Sequence, residues 1–192
     1  MPIYIPDASL TMRDAMEESF GFIAYDKTLT LREVNVATDV VYQKNYTSFY
    51  RIRRDAAWLG KYYQYMEDHK CDATLTMADV LSYLYTIPHK AKGGREICSI
   101  ELSFASKMLA TMMPHQYPIW DSRVVKAMGL EAGFQSLSKA IDSYEAFRQE
   151  IQAFIATAEG EACLGLFDQM FPRYTHVSLL KKMDVYLWHM GK

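Results

Sequence analysis

Apolar residues recur along most of the chain at intervals of three or four positions, the spacing that places side chains on one face of a helix. Proline and glycine fall between these periodic segments, and not at the regular short spacing that is typical of sheet proteins. We therefore predict an all-α fold of eight or nine helices. The periodic segments lie at residues 9–26, 30–41, 46–67, 77–86, 95–113, 121–128, 136–157, 162–171 and 176–190.

Polar residues at the starts of several segments match known helix-capping patterns. Thr30 is followed three positions later by Glu33, and Thr76 is followed by Asp79. Both pairs fit the capping box, in which the two side chains bond each other's backbone amides. Asp121 is predicted to begin a further helix, because aspartate accepts hydrogen bonds from first-turn amides.

Length and charge restrict the classes of protein that the chain can belong to. The chain has 192 residues, of which 50% are hydrophobic, so it can bury a sizeable core as one domain over 1–192 or as two packed helical lobes. The formal net charge is −2, which gives no overall attraction to nucleic acid. Any nucleic-acid site must therefore be a local patch.

The amino terminus and the cysteines exclude further classes. The start, MPIYIPDASL, lacks the features of a secretory signal, and no apolar run is long enough for a membrane span, so we expect a soluble cytoplasmic protein. Cys71, Cys98 and Cys163 are widely spaced and form no metal-binding pattern. We expect no disulfide framework, no metal and no cofactor.

Candidate chemistry is concentrated in the stretch SFASKMLATMMPHQYPIWDSRVVKAMG, residues 103–129. Lys107 interrupts an apolar helix, and Asp121 follows a turn rich in proline and aromatic residues. Taken alone, Lys107 is typical of a surface lysine with its stem buried and its ammonium in water. Asp121 taken alone is typical of a helix cap. A nucleophile with its electrostatic partner is the alternative for the pair.

The same stretch resembles the helix-hairpin-helix superfamily of DNA glycosylases, particularly the 8-oxoguanine branch. Those enzymes have a lysine on one helix, an apolar run, a turn ending in proline and a hydrophobic residue, and an aspartate that caps the next helix. Lys107 matches the nucleophile, Pro118 and Ile119 match the turn, and Asp121 matches the catalytic aspartate. The resemblance implies a two-lobed helical fold with a cleft near Lys107 and Asp121.

A base-excision glycosylase with AP-lyase activity on an oxidised purine is the function that the resemblance implies, with damaged double-stranded DNA as the partner. Lys107 would attack the sugar carbon as a neutral amine and form a Schiff base. Asp121 would stabilise the positive charge that develops on the sugar, or relay a proton. Free lysine is protonated at neutral pH, so burial or a neighbouring cation must favour the neutral amine.

Further residues are candidates for contacts with DNA. For a flipped base, aromatic rings can supply stacking platforms, although core packing is the alternative for each ring. The candidate rings are Phe104, Tyr117, Trp120 and Trp188. For backbone phosphates, the candidates are His89, Lys90, Lys92, Gly93, Gly94 and Arg95 in the loop HKAKGGR, and Arg123 and Lys126. We expect Lys181 and Lys182 to lie at a solvated helix end. For Arg51, Arg53 and Arg54, pairing with Glu67, Asp68 or nearby acids on a helical surface is the alternative to a DNA contact.

A second hypothesis is a non-catalytic helical DNA-binding or protein-interaction module on the same fold. The superfamily usually carries a glycine-containing hairpin just before the lysine, and its amides hold a DNA phosphate. The corresponding segment here, ICSIELSFASK, contains no glycine. The missing glycine is therefore consistent with a module that retains the fold but has lost the glycosylase chemistry.

Overall fold

The computed structural model shows an all-α protein, which confirms the predicted fold class. It describes residues 21–91, 93–131 and 133–192, together with residues 3, 5, 7, 8 and 11. Within these residues the nine helices are α1 (Phe22–Leu29), α2 (Val40–Tyr50), α3 (Ala56–His69), α4 (Met77–Tyr85), α5 (Leu102–Met112), α6 (Ser122–Ala127), α7 (Leu137–Ile155), α8 (Ala158–Met170) and α9 (Leu179–Met190). Short 3-10 helices cover Thr30–Arg32 and Pro172–Tyr174, and strands β1 (His89–Lys90) and β2 (Glu96–Ile97) pair antiparallel. In the described part of the chain, no helix has the length and apolar character needed to cross a membrane.

The chain divides into two compact units. One unit comprises Gly21–Met113 and contains Lys107, and we call it the lysine unit. The other comprises Pro114–Lys192 with Met1–Phe20 and contains Asp121, and we call it the aspartate unit. The two candidate catalytic residues therefore belong to different units.

Buried tyrosines form the core of the lysine unit. The hydroxyl groups of Tyr46 on α2 and Tyr62 on α3 lie 2.9 Å apart, and Tyr62 also donates to the carbonyl oxygen of Phe104 at 3.1 Å. Tyr50 lies 3.0 Å from Thr111 Oγ1 on α5. Buried tyrosine hydroxyls need hydrogen-bond partners. The position of α5 is therefore set by these hydrogen bonds as well as by the burial of its apolar side chains.

Helix α9 is the centre of the aspartate unit, where it packs against α6, α7 and α8. Tyr186 on α9 donates to the carbonyl oxygen of Cys163 on α8 at 2.7 Å. A second core lies around Tyr144 on α7, which donates to the carbonyl oxygen of Pro118 at 2.7 Å. The Pro118 bond ties the turn before Asp121 to α7.

Several predicted helix ends are confirmed. Thr76 and Asp79 form the predicted capping box at the start of α4. Asp121 is the N-cap of α6, and Gly129 follows that helix with a φ of 64°. Ser136 caps α7 as its position predicts. These features depend on residues within four positions of each other, so local sequence is sufficient to specify them.

The α-helix predicted over residues 30–41 is wrong, because Thr30 ends α1 and starts only a three-residue 3-10 helix. Thr30 follows the last residue of α1, and its hydroxyl donates to the carbonyl oxygen of Lys27 at 2.9 Å. The next α-helix begins ten residues later. Asp39 is its N-cap, accepting from the amides of Val41 and Tyr42 at 2.9 Å.

The predicted helix over residues 46–67 is two helices. Arg51 adopts the left-handed conformation, with φ at 52°, and ends α2. Asp55 then begins α3 by accepting from the amide of Trp58 at 2.9 Å. A single left-handed residue breaks the helical hydrogen-bond ladder, and the apolar period on both sides gives no sign of it.

Other predicted boundaries also move. The segment predicted as helix over residues 95–113 is helical only from Leu102, because Glu96–Ile97 pairs with β1. Gly21 is the N-cap of α1, so no helix continues through it from residue 9, and residues 9, 10 and 12–20 lie outside the described residues. The last two helices begin after the caps Thr157 and Ser178.

Candidate functional site

Lys107 is buried on α5, with 6% of its surface exposed. Its Nζ donates to Ser103 Oγ, one helical turn earlier, at 3.0 Å. The ammonium nitrogen also lies 5.8 Å from the centroid of the Phe104 ring. This burial disagrees with a surface lysine that extends its charge into water.

The backbone around Lys107 is held by its own helix and by a neighbouring one. Thr111 Oγ1 donates to the carbonyl oxygen of Lys107 at 2.9 Å. The Tyr50 hydroxyl lies 3.0 Å from the same Thr111 oxygen. Residues Ala105, Met108 and Leu109 are completely buried, so the sequence around the lysine is that of a core helix. The lysine therefore has a fixed backbone position.

Phe104, a predicted base-stacking residue, is half-buried and already has three partners. Its ring packs edge-on against Trp58, with centroids 5.5 Å apart. The guanidinium carbon of Arg54 lies 4.9 Å from the Phe104 centroid. Two cations, Arg54 and Lys107, thus lie within 6 Å of one ring, the range of cation–π attraction.

A carboxylate that the sequence analysis did not single out lies at the start of α5. Glu101 pairs with Arg54, so the acid partner of this arginine is neither Glu67 nor Asp68. It also accepts from Ser99 Oγ at 2.5 Å, and His89 Nε2 lies 3.9 Å from the same carboxylate oxygen. We call Arg54, His89, Ser99 and Glu101 the Glu101 cluster.

The basic loop is the turn of the β1–β2 hairpin. Gly93 and Gly94 have φ values of 107° and 83°, as expected for adjacent glycines in a tight turn. Lys90 and Arg95 are exposed, and the amide of Ala91 donates to the carbonyl oxygen of Arg95 at 2.9 Å. The structure therefore brings five of the predicted phosphate contacts, His89, Lys90, Gly93, Gly94 and Arg95, into one hairpin. Lys92 lies outside the described residues.

Asp121 is half-buried at the start of α6, and its Oδ1 accepts from the backbone amide of Arg123 at 3.0 Å. The predicted cap is confirmed. A capped carboxylate is held in one orientation by the first-turn amide that it accepts from. Capping and an electrostatic role are compatible.

Arg123 and Trp188, predicted separately as a phosphate contact and a base contact, touch each other. The guanidinium carbon of Arg123 lies 3.9 Å from the Trp188 ring centroid, which is close stacking for a cation on an aromatic ring. Lys126 is exposed, and its Nζ donates to the carbonyl oxygen of Lys192 at 2.7 Å. Asp121, Arg123, Lys126 and Trp188 are thereby grouped around α6 in the aspartate unit.

The other two predicted base contacts lie around the aromatic core of the aspartate unit. Trp120 is 4% exposed and packs edge-on against Phe147 with centroids 5.0 Å apart. Tyr117 is half-buried, stacks on Tyr144 at 6.5 Å and lies 5.9 Å from the guanidinium carbon of Arg148. Both rings have packing roles in the structure.

Lys181 and Lys182 are buried, which corrects the expectation of a solvated helix end. Lys181 pairs with Asp184 on the same helix, and Lys182 Nζ lies 2.5 Å from Asp168 Oδ1 on α8. The expectation was wrong because α9 is surrounded by α6, α7 and α8, which its charged residues do not indicate. The paired carboxylates offset the cost of removing these two ammonium groups from water.

No metal site is found in the described residues, which hold no group of three or more His, Cys, Asp and Glu side chains able to share an ion. Comparisons with protein-family models, with curated proteins and with solved structures found no match. The functional inference for this chain therefore depends on its own residues.

Proposed function

We propose that this protein is a DNA base-excision glycosylase with AP-lyase activity on an oxidised purine in double-stranded DNA. The observation that carries the proposal is the buried Lys107, whose amine bonds Ser103 on a well-packed helix. A lysine removed from water is costly to keep charged, and a buried lysine serves either in an ion pair, as Lys181 and Lys182 do, or in another role. Amine nucleophiles are one such role.

The chemistry assigned to Lys107 is nucleophilic substitution followed by elimination. The neutral amine forms a bond to the sugar C1′, and the damaged base leaves with the electron pair of the glycosidic bond and takes up a proton. Loss of the amine proton and ring opening give a Schiff base between Nζ and C1′. Abstraction of a C2′ proton then expels the 3′ phosphate and cuts the strand.

Asp121 is assigned the stabilisation of positive charge on the sugar as the base departs. Its orientation is set before reaction by the bond from the Arg123 amide, so no reorganisation is needed when charge develops. Removing a preorganised group of this kind typically slows a reaction by about 10² to 10³-fold.

DNA binding is assigned to local basic patches, since the chain as a whole carries a net charge of −2. The hairpin presents exposed Lys90 and Arg95 beside two glycines, whose backbone lets a phosphate approach closely. Arg123, stacked on Trp188, is the corresponding cation beside Asp121.

The second candidate is a helical module that binds DNA without catalysis. It is favoured by the segment before α5, which contains no glycine and places the buried Glu101 just before the helix that carries the lysine. Salt-sensitive binding to duplex DNA, with no covalent product, is what this candidate predicts.

Borohydride trapping tests the proposal. Protein is incubated with duplexes that carry 8-oxoguanine or an abasic site, and reduction converts the Schiff base into a stable adduct. We expect an adduct with the wild type, none with Lys107→Gln, and trapping slowed about 100-fold or more with Asp121→Asn. Lys61→Gln, which removes an exposed lysine of α3, is the matched control and should be trapped like the wild type.

Folding of each variant is checked by circular dichroism, and duplex binding is measured in parallel. An adduct that persists in Lys107→Gln would reject Lys107 as the nucleophile. If no adduct forms with any of a panel of damaged bases but the protein binds duplex DNA in a salt-dependent way, the glycosylase proposal is rejected in favour of the non-catalytic module.

A further inference from the structure

Glu101 occupies the N-cap position of α5 but does not cap the helix with its side chain. Its carbonyl oxygen accepts from the amide of Ala105 at 2.9 Å, as an N-cap residue does. Serine, threonine, aspartate and asparagine are preferred there because their short side chains reach the first-turn amides. Glu101 is only 9% exposed, and its carboxylate contacts side chains of other segments instead of the first-turn amides.

The carboxylate of Glu101 collects side chains from three other segments of the lysine unit. Arg54 comes from the segment before α3, His89 from β1 and Ser99 from the segment after β2. The side chains of His89 and Glu101 are each only 10% exposed. Charge-assisted hydrogen bonds to a carboxylate are strong, especially where water is excluded.

His89, Ser99 and Glu101 form a series of hydrogen bonds in which Glu101 is the final acceptor. The single hydroxyl proton of Ser99 is donated to Glu101, so the Ser99 oxygen accepts from His89 Nε2, which lies 3.3 Å away. His89 must therefore carry a proton on Nε2. Its Nδ1 is buried and finds no hydrogen-bond partner among the described residues. The ring is consequently held from the Nε2 side.

We propose that Glu101 is a positioning residue that fixes the β1–β2 hairpin to the start of α5, the helix that carries Lys107. His89 is the first residue of the hairpin, and Glu101 directly precedes Leu102, the first residue of α5. The Ser99 hydroxyl connects the side chains of His89 and Glu101, so the hairpin and α5 are joined by hydrogen bonds as well as by the backbone. The DNA part of this inference rests on the proposed function: the cluster holds Lys90 and Arg95 in one place relative to Lys107.

Hydrogen exchange of the hairpin, measured by mass spectrometry on the DNA-free protein, tests the anchor directly. Glu101→Gln replaces the charged acceptor that Arg54 and Ser99 share with a neutral amide, which accepts weaker hydrogen bonds, so we expect peptides that cover residues 88–98 to exchange about tenfold faster or more. Glu96→Gln is the matched control, since it removes an exposed carboxylate from the same hairpin. It should exchange like the wild type.

Ser99→Ala provides a second variant that keeps the Arg54 pair and removes only the link to His89. We expect the same hairpin peptides to exchange faster, while those of α3 do not change. Hairpin exchange that equals the wild type in both Glu101→Gln and Ser99→Ala would overturn the positioning role, whatever happens with DNA.

Affinity and trapping on an abasic duplex then test the consequence for DNA. We expect Glu101→Gln to bind about tenfold more weakly, with a shallower salt dependence, by about 0.9 in log–log slope for each phosphate that the hairpin no longer binds. Borohydride trapping at saturating DNA should stay close to the wild type. A faster-exchanging hairpin with unchanged affinity and slope would overturn its role in DNA binding. Wild-type protein that neither binds nor traps would overturn the proposed function, and exchange alone would still decide on the anchor.

Discussion

At the scale of single residues, Gly191 shows how closely the end of α9 lies on α6. A Cβ atom at Gly191 would lie 1.9 Å from the carbonyl oxygen of Arg123. The backbone of Gly191 has a φ of −84°, which any residue can adopt. Glycine is therefore needed for space and not for conformation. The contact supports the helix that Asp121 caps.

Gly191→Ala is expected to lower the free energy of unfolding by about 1 to 3 kcal/mol, the usual cost of overpacking a tight contact. Urea denaturation measures the change. Gly165→Ala is the control, because Gly165 lies in α8 with no atom within 4 Å of its Cβ position. Alanine in an open helical site should raise the free energy of unfolding by about 0.5 to 1 kcal/mol.

The two glycine variants should therefore change stability in opposite directions. Equal changes in both, or a stabilised Gly191→Ala protein, would show that α9 and α6 separate easily at this point. The close approach of Gly191 to Arg123 would then have no energetic weight.

Residues of the candidate site were predictable to the extent that their partners are close in sequence. The Asp121 cap uses an amide two residues later, so the local pattern identifies it. The stacking of Arg123 on Trp188 joins residues far apart in the chain, and nothing local indicates it. Glu101 was missed for a different reason: the helix was predicted to begin at residue 95, which places Glu101 inside it. No local signal indicates its role, because its partners Arg54 and His89 come from other segments.

At the scale of elements, the same sequence pattern has two outcomes. Thr76 is preceded by non-helical residues and adopts an extended conformation, with φ −109° and ψ 165°, from which its hydroxyl reaches the amide of Asp79. Thr30 follows directly on α1 with φ −75° and ψ 11°, and its hydroxyl turns back to Lys27. A capping box requires that the preceding chain is not already helical.

Thr76→Ala should therefore lower the free energy of unfolding by about 1 kcal/mol, because a first-turn amide of α4 loses its acceptor. Thr30→Ala, at a position with the same sequence pattern, should change it by less than about 0.5 kcal/mol. Urea denaturation of the two variants under identical conditions gives the comparison. If Thr30→Ala proves as costly as Thr76→Ala, the difference in capping between the two sites has no thermodynamic effect.

Helix existence was easier to predict than helix continuity. The apolar period identified helical segments throughout the described chain, since each buries a stripe against a neighbour. It passed unbroken through Arg51 and through residues 95–101, where a left-handed residue and a strand pairing intervene. Both interruptions depend on backbone conformation or on a partner segment, which side-chain periodicity does not record.

At the scale of the whole molecule, buried tyrosines link stability to alkaline pH in both units. Burial raises the pKa of Tyr46 and Tyr62 well above the usual value for tyrosine, and proximity to each other contributes to the rise for Tyr46. Burial likewise raises the pKa of Tyr63 to about 12. In the aspartate unit, burial raises the pKa of Tyr144 and Tyr186. Each of these hydroxyls stays neutral in the folded protein at pH values where it ionises in the unfolded chain.

The sign of the pH dependence follows from which state holds the proton. Above about pH 10 the unfolded chain releases tyrosine protons that the folded protein keeps, so the free energy of unfolding falls as pH rises. Each buried tyrosine contributes a loss of up to about 1.4 kcal/mol per pH unit until its folded pKa is reached. The contribution is fully present below pH 10, and for Tyr63 it is lost between pH 10 and about 12.

Tyr46→Phe isolates one of these contributions. Removal of the hydroxyl should make the fall in unfolding free energy between about pH 10 and 11.5 shallower by up to about 1.4 kcal/mol per pH unit, whatever the cost of the mutation at neutral pH. Urea denaturation at several alkaline pH values measures the slope. Tyr85→Phe, at a residue that is 40% exposed, should leave the slope unchanged. A wild-type slope in Tyr46→Phe would mean that the Tyr46 hydroxyl ionises as readily in the folded protein as in the unfolded chain, and that its burial contributes nothing to the loss of stability at high pH.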